Sequence, residues 1–216
     1  MTAPRVVLVA LLTPAPLAAQ DAGQSWFGGT AAQEIINSRL GDGHERLTGI
    51  VLSAEGQFAS GPLVVRLRYG EGRVTGGVDE SVIPRELVEG EALVGLRLAS
   101  WLMLGAGPNA RAYTAAGTEH RWLFWSAHAT ARGTLLPGRM ASFVEVWKSF
   151  SGNVTEPAGT ASGRGAEGGL ELRLGGARGG HSFWGRLAYR IEHGLAGGRR
   201  ETVETVAFSI GYVPPR

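Results

Sequence analysis

The sequence predicts an all-β chain: a closed, antiparallel, up-and-down barrel of ten strands, with eight as the alternative, built to cross a lipid bilayer. Three observations predict it. Most of the chain alternates apolar with polar or small residues at period two, and a strand sends successive side chains to opposite faces. The alternating segments are about 9 to 13 residues long, enough for a tilted strand to cross the hydrocarbon layer. The polar face mixes Arg and Glu with Gly, Ala and Ser, which suits a confined lumen better than an open surface. Periodicity alone also fits a soluble barrel or sandwich with the apolar face inside. A soluble periplasmic β-barrel binding an apolar ligand is therefore the alternative.

The first residues are not part of that pattern. Arg5 precedes the apolar run Val6–Leu12 and the small-residue exit Thr13–Ala19. This reads as a signal peptide over residues 1–19, leaving residues 20–216 as one domain. The run is too short for a spanning helix, which needs about 20 residues. Cys is absent, so an exported chain gains nothing from disulfides. The formal charge is +2 with no basic block, which does not suggest nucleic acid. The chain has 34 glycines without a collagen period, which disfavours helices and suits tight turns.

Ser25–Asn37 is ambiguous: Trp26–Ala32 fits a first strand, and Ala31–Ile36 fits one helical turn. Leu40–Glu45 reads as a loop. Arg46–Phe58 sets Thr48, Ile50, Leu52, Ala54 and Phe58 against Leu47, Gly49, Val51, Ser53 and Glu55. After the turn Ala59–Pro62, Leu63, Val65, Leu67 and Tyr69 alternate with Arg66 and Arg68. Gly70–Leu87 reads as a long polar connection. Val88–Ala99 sets Ala92, Val94, Leu96 and Leu98 against Glu91, Gly95 and Arg97. Ser100 turns the chain into a weaker strand, Trp101–Ala112, with Pro108 near its end. A loop around Ala115–Thr118 leads to His120–Arg132, where Leu123, Trp125, Ala127 and Ala129 oppose Trp122, Ser126, His128 and Thr130. Leu136–Gly138 is a turn. Met140–Phe150 has the least clear facing, and Ser151–Gly165 reads as a Gly/Ser/Thr/Pro loop. Ala166–Leu174 sets Leu170, Leu172 and Leu174 against Glu171 and Arg173. Gly175–Gly180 joins it to the hairpin His181–Tyr212, the clearest pattern in the chain. There Phe183, Leu187, Tyr189, Val206, Phe208, Ile210 and Tyr212 line one face.

With ten strands the connections alternate short and long, as in single-chain bacterial barrels with short periplasmic turns and longer outer loops. Trp125, Tyr69, Phe183 and Tyr212 suit the aromatic girdles of a membrane barrel. On these residues, and on the final alternation Phe208-Ser-Ile210-Gly-Tyr212, the chain resembles the small bacterial outer-membrane β-barrel proteins with eight to ten strands. The resemblance implies residence in the outer membrane of a Gram-negative cell. It also implies outer-membrane lipid and the barrel assembly machinery as partners, with small solutes a further candidate.

In that reading the lumen-facing charged set is Glu55, Arg66, Arg68, Glu91, Arg97, His128, Arg132, Glu145, Glu171, Arg173, Arg186, Arg190 and Glu192. Such a set either lines a selective path or pairs off to fill a narrow interior, since buried charges survive by pairing. The lipid-facing set is Leu63, Val65, Leu67, Tyr69, Leu96, Leu98, Leu170, Leu172, Phe183, Leu187, Tyr189, Phe208, Ile210 and Tyr212. The expectation is a structural barrel or narrow passive channel, without cofactor or metal and not an enzyme. An outer-membrane lipid hydrolase is the second alternative: Ser126 and His128 share a face and Glu145 falls on the next strand, as a nucleophile, base and orienter would. His181 and Ser182 are adjacent, so they face opposite sides and do not meet. Gly163-Arg-Gly-Ala-Glu-Gly168 matches a phosphate-binding spacing but lacks the strand before and helix after that the motif requires.

Overall fold

The computed structural model describes residues 25–76, 84–115, 118–155, 158–174 and 182–214. Residues 1–19, His181 and the whole 175–180 connection named above lie outside them. Ten strands follow one another: β1 (Trp26–Leu40), β2 (Gly43–Ser60), β3 (Leu63–Gly76), β4 (Arg85–Ala99), β5 (Leu102–Ala115), β6 (Thr118–Leu136), β7 (Met140–Thr155), β8 (Ala158–Leu174), β9 (Ser182–Ala196) and β10 (Arg199–Val213). Each pairs antiparallel with the next, and β1 closes on β10 with Phe27 opposite Tyr212 and Leu40 opposite Arg199. Closure leaves no edge strand, so every ladder is satisfied without water. The first and last described residues, Ser25 and Pro214, lie at one rim, the terminal rim; the first and last hairpins turn at the other, the hairpin rim.

The connections differ from the sequence reading. The segment around Leu40–Glu45 is a tight hairpin whose turn is only Gly41–Asp42, and Ala31–Ile36 is strand. Strand β3 runs on to Gly76 and β4 starts at Arg85, which trims the Gly70–Leu87 connection. Most of Ser151–Gly165 is strand: β7 continues to Thr155 and β8 begins at Ala158. Two-residue turns therefore occur at both rims, and connection length does not distinguish them. The backbone at the turns explains their brevity. Gly197 and Gly198 have φ of 52° and 82°, the left-handed pair a type I′ hairpin needs, and Gly61 has φ 56° just before Pro62.

The glycines that made β7 and β8 look like loop make room for rings inside the barrel. A Cβ on Gly165 would sit 2.2 Å from Trp147, and one on Gly152 2.7 Å from Phe124. The unclear facing of β7 has a cause as well. Trp125 pairs with Ser151 but Ser126 pairs with Ser149, so Phe150 is a bulge. Parity flips there: Phe143, Glu145 and Trp147 point inward before it, Gly152 and Val154 after it. Pro108 lies inside β5, not near its end. It lacks an N–H, and the β4–β5 ladder skips from Glu91–Asn109 to Val94–Ala106 around it.

The outer surface is apolar. Ile50 is 65% exposed, Leu52 64% and Phe58 62%, and Leu98, Phe183, Leu187, Phe208 and Ile210 are each more than half exposed. A contiguous band of this kind far exceeds the few hundred Å² that a soluble monomer leaves uncovered. The alternate residues of the same strands fill the interior.

Candidate functional site: a lumen in two chemical layers

Toward the hairpin rim the lumen is closed by apolar side chains. Ile36, Leu47, Val51, Val74, Leu87, Tyr113, Trp122, Phe124, Val154, Ala196 and Val203 form one buried cluster, with Ala161 packed against it. Every one of the ten strands contributes at least one of these residues. Trp122 stacks on Phe124 with ring centres 5.7 Å apart. His120 seals the top, parallel to Tyr113 at 6.1 Å and edge-on to Trp122 at 5.6 Å. Neither of its ring nitrogens has a partner among the described residues. His120 lies beyond the apolar outer band, and burial, then the nearby Arg199 and Arg85, push its pKa down to about 4.

Beneath this cap lies a charged layer. Arg111 Nε donates to Glu89 at 2.6 Å, and its Nη1 lies 3.5 Å from Glu192 and 3.8 Å from Glu201. Arg68 reaches Glu89 at 3.6 Å and Arg190 reaches Glu192 at 2.7 Å. On the hairpin-rim side of the cap, Ser38 and Glu201 stand two residues beyond Ile36 and Val203, and Glu201 accepts from Tyr113 of the cap at 2.9 Å and from Ser38 at 3.1 Å. Glu34 is 1% exposed, and one of its carboxylate oxygens has no hydrogen-bond partner. A cavity of about 20 Å³, room for one water, is lined by Arg68, Glu89, Arg111, Arg190 and Glu192 with Phe124 above.

A second charged layer reaches to the terminal rim. Glu145 accepts both arms of the Arg66 guanidinium at 2.6 Å, the bidentate geometry that makes such pairs strong. The same carboxylate takes His128 Nδ1 at 2.8 Å and the Thr130 hydroxyl at 3.1 Å. Arg66 also meets Glu91 at 2.9 Å. Arg186 stands among Glu55 (3.7 Å), Glu167 (3.8 Å) and Glu171 (3.3 Å). Its guanidinium also lies over Trp26, Phe143 and Trp184 at 5.1–5.5 Å. Arg132 pairs with Glu171. Arg97 and Arg173 point inward at the rim itself; Arg97 Nη1 donates to Gly61 O at 3.5 Å. A cavity of about 60 Å³ opens here, lined by Trp26, Arg66, Arg97, Trp101, Arg132, Glu167 and Arg186 among others.

The structure thus joins most of the expected lumen set in an ion-pair network, with Arg97 and Arg173 inward at the terminal rim. It adds Glu34, Glu89, Arg111, Glu167, Arg199 and Glu201, which sequence reasoning missed. Their signal was present: each sits on the inward parity of its strand, but in stretches read as connection, helical turn or strand end. The residues expected to face lipid lie on the outward parity. Val65 and Tyr212 are only partly exposed, Tyr212 because it packs between Phe27 and Phe183 at 5.3 and 5.5 Å.

The hydrolase constellation is joined only in part. His128 contacts Glu145, but Ser126 Oγ and His128 Nε2 are both buried without a hydrogen-bond partner, so nucleophile and base are not bonded to each other. Ser126 is 1% exposed and faces the lumen, away from any lipid substrate. Among the described residues no cluster of His, Cys, Asp or Glu has the makings of a metal site.

The fold is shared with known proteins. An outer-membrane channel of Pseudomonas putida F1 superposes with a TM-score of 0.50 at 11% identity, covering 94% of this chain and 99% of that one. The outer-membrane protease OmpT of Escherichia coli superposes with a TM-score of 0.53 at 8% identity, covering 91% of this chain and 98% of that one. No protein-family model matches the sequence, and no curated relative does. At such identities the likeness is one of architecture: a closed barrel of the outer-membrane kind.

Proposed function

We propose that this chain is an integral outer-membrane barrel with a closed lumen, serving as a structural element of the membrane and not as an open pore. The observation that carries this reading is the apolar cap, to which every strand contributes and in which Trp122 and Leu87 are almost completely buried. An aqueous path would have to cross that layer, and water gains nothing by entering a tightly packed apolar site. The charged layers beneath act as a packed interior: their carboxylates and guanidiniums neutralise one another instead of presenting one sign to a solute. The exposed apolar outer band supports lipid as the surrounding medium. Within this reading residues 1–19 are removed on export, and the Phe208-Ile210-Tyr212 strand is the element presented to the assembly machinery.

The test is direct. The chain expressed with its leader should fractionate with the outer membrane, need detergent, and migrate faster unheated than boiled. In planar bilayers the wild type should stay silent, and Trp122→Ala combined with Phe124→Ala should conduct. Steady wild-type conductance would replace the closed scaffold with a pore; a detergent-free soluble protein would remove the membrane reading altogether.

A further inference from the structure

The outer face of the barrel is electrically lopsided. Among the described strand residues, outward-pointing cations occur only in the half toward the hairpin rim. The terminal half is apolar and aromatic, with Phe27, Tyr212 and Phe183 in mutual contact. They form two groups: Arg39 stands opposite Arg200 and His44 at the hairpin rim itself, and a second group lies lower down, where β7, β8 and β9 meet. Lys148, the only lysine in the chain, is directly opposite Arg164, and Arg164 is directly opposite His193. Directly opposed side chains on one face have Cβ atoms about 5 Å apart, and like charges so placed repel. Neither Lys148 nor Arg164 makes an ion pair or side-chain hydrogen bond among the described residues. The neighbouring outward carboxylate, Glu204, accepts instead from the Tyr189 hydroxyl at 3.1 Å. His193 is held by Thr202 through Nδ1 at 3.0 Å.

Two further features surround this pair. Below Arg164 the outward residues of β8 are Ala166 and Gly168, between Val146 and Val144 on β7 and Ile191 and Tyr189 on β9. The result is a shallow apolar furrow running from the cations toward the bilayer centre. Packing does not demand the glycine: a Cβ on Gly168 would meet only ordinary contacts, 3.5 Å to Phe143 O and 3.8 Å to Val144. Above the pair the β7 bulge turns Phe150 outward, 67% exposed. Lys148 stands eight residues above Met140 and Arg164 ten above Leu174. At about 2.5 Å of height per tilted residue both reach roughly 20–25 Å, the upper edge of an apolar band about 25 Å tall.

We propose that Lys148 and Arg164, with His193 beside them, bind the phosphate of a phosphorylated glycolipid of the outer leaflet, and that the Ala166–Gly168 furrow seats one of its acyl chains. This rests on the membrane reading above. A chain delivered from the periplasm leaves both termini there, which places the cation pair at outer-leaflet headgroup depth. A phosphate supplies the counter-charge that the two cations lack, through charge-assisted hydrogen bonds. A lipid at this depth needs an apolar path directly below its headgroup, and the furrow provides one.

The experiment uses the full folded chain in neutral detergent, with bisphosphorylated lipid A as the probe and its dephosphorylated form as the control, read by native mass spectrometry. The wild type should retain the phosphorylated lipid and release the dephosphorylated one. Lys148→Gln with Arg164→Gln should weaken retention roughly tenfold or more. Gly168→Leu, which leaves the cations in place, should weaken retention of the phosphorylated lipid by a smaller factor. Equal retention of the two lipids, or retention by the double variant within about twofold of wild type, overturns the site. The same preparation is run unheated and boiled. A heat shift without lipid retention rejects only this site; no heat shift rejects the membrane reading beneath it.

Discussion

Toward the hairpin rim the lumen is filled by Ile36, Leu47, Leu87, Trp122 and Phe124; toward the terminal rim it is filled by Arg66, Glu145, Arg186 and Glu171. Both halves are closed by side chains from the same ten strands. The apolar half needs only volume and shape, so replacement by another apolar residue of similar size is tolerated. The charged half needs partners at fixed positions, because each group left alone in the interior keeps its desolvation cost with nothing to offset it. The two cavities described above lie where the packing is charged, and the larger of the two opens at the terminal rim. Discrete polar geometry leaves gaps that apolar packing closes.

The largest effects should come from breaking the charged half. Glu145→Ala strips Arg66 of its bidentate partner and His128 and Thr130 of their acceptor, and should cost about 3–5 kcal/mol. A shift of that size should appear in the urea midpoint of the unheated gel band. A loss below about 1 kcal/mol would mean that the network is solvated and that the two halves do not differ as argued. Trp122→Ala in the cap should cost about 3–5 kcal/mol through the cavity it leaves. The comparison sharpens with the milder pair: Trp122→Phe should recover much of that loss, whereas Glu145→Gln should recover little, since the amide does not neutralise Arg66.

Two glycines on neighbouring parities of β8 offer a smaller test. Gly165 points inward against Trp147 and Gly168 outward with room for a methyl. Gly165→Ala should destabilise by about 1–3 kcal/mol, and Gly168→Ala should stay within about 0.5 kcal/mol. Equal effects would mean that Trp147 yields freely.

The smallest predicted effect is a pH dependence confined to the cap. His120 has its pKa depressed from the ordinary 6.5 to about 4 by burial, so the folded chain holds it neutral while the unfolded chain protonates it first. Its contribution is intact above pH 6.5, falls as the pH drops toward 4, and changes no further below that. Unfolding midpoints measured across this window should therefore slope more steeply for wild type than for His120→Phe. Parallel slopes would show that His120 titrates as a solvated histidine.

How far the sequence was legible follows from where side chains face. The hairpin Phe183–Tyr212 alternates without interruption, and strand order, inward Arg186 and Arg190, and outward Phe208 and Ile210 could all be read from it. Ser151–Gly165 could not. Its glycines signal a turn when neighbours are unknown, and only the arrival of Trp147 and Phe124 from the lumen side gives Gly165 and Gly152 their reason. Phe150 likewise interrupts the alternation of β7, and a bulge is defined by the partner strand that skips it. Glu34 and Glu89 were hidden because their segments carried other local signals.

The sequence by itself determined the class of the fold and the chemistry of the two barrel faces, because period-two alternation is a local property of each strand; the count of ten rested on alternating connection lengths, which the structure does not show. Only the tertiary structure decided how the lumen is filled. Leu47, Leu87, Trp122 and Val203 are far apart in the chain, and nothing local says that they share one height. Register and strand tilt bring them to one level and collect most of the inward carboxylates and guanidiniums below it, with the Arg85–Glu45 and Arg199–Glu201 pairs on the hairpin-rim side. That layering, which makes the interior a closed core in one half and an ion-pair network in the other, exists only once β1 has closed on β10.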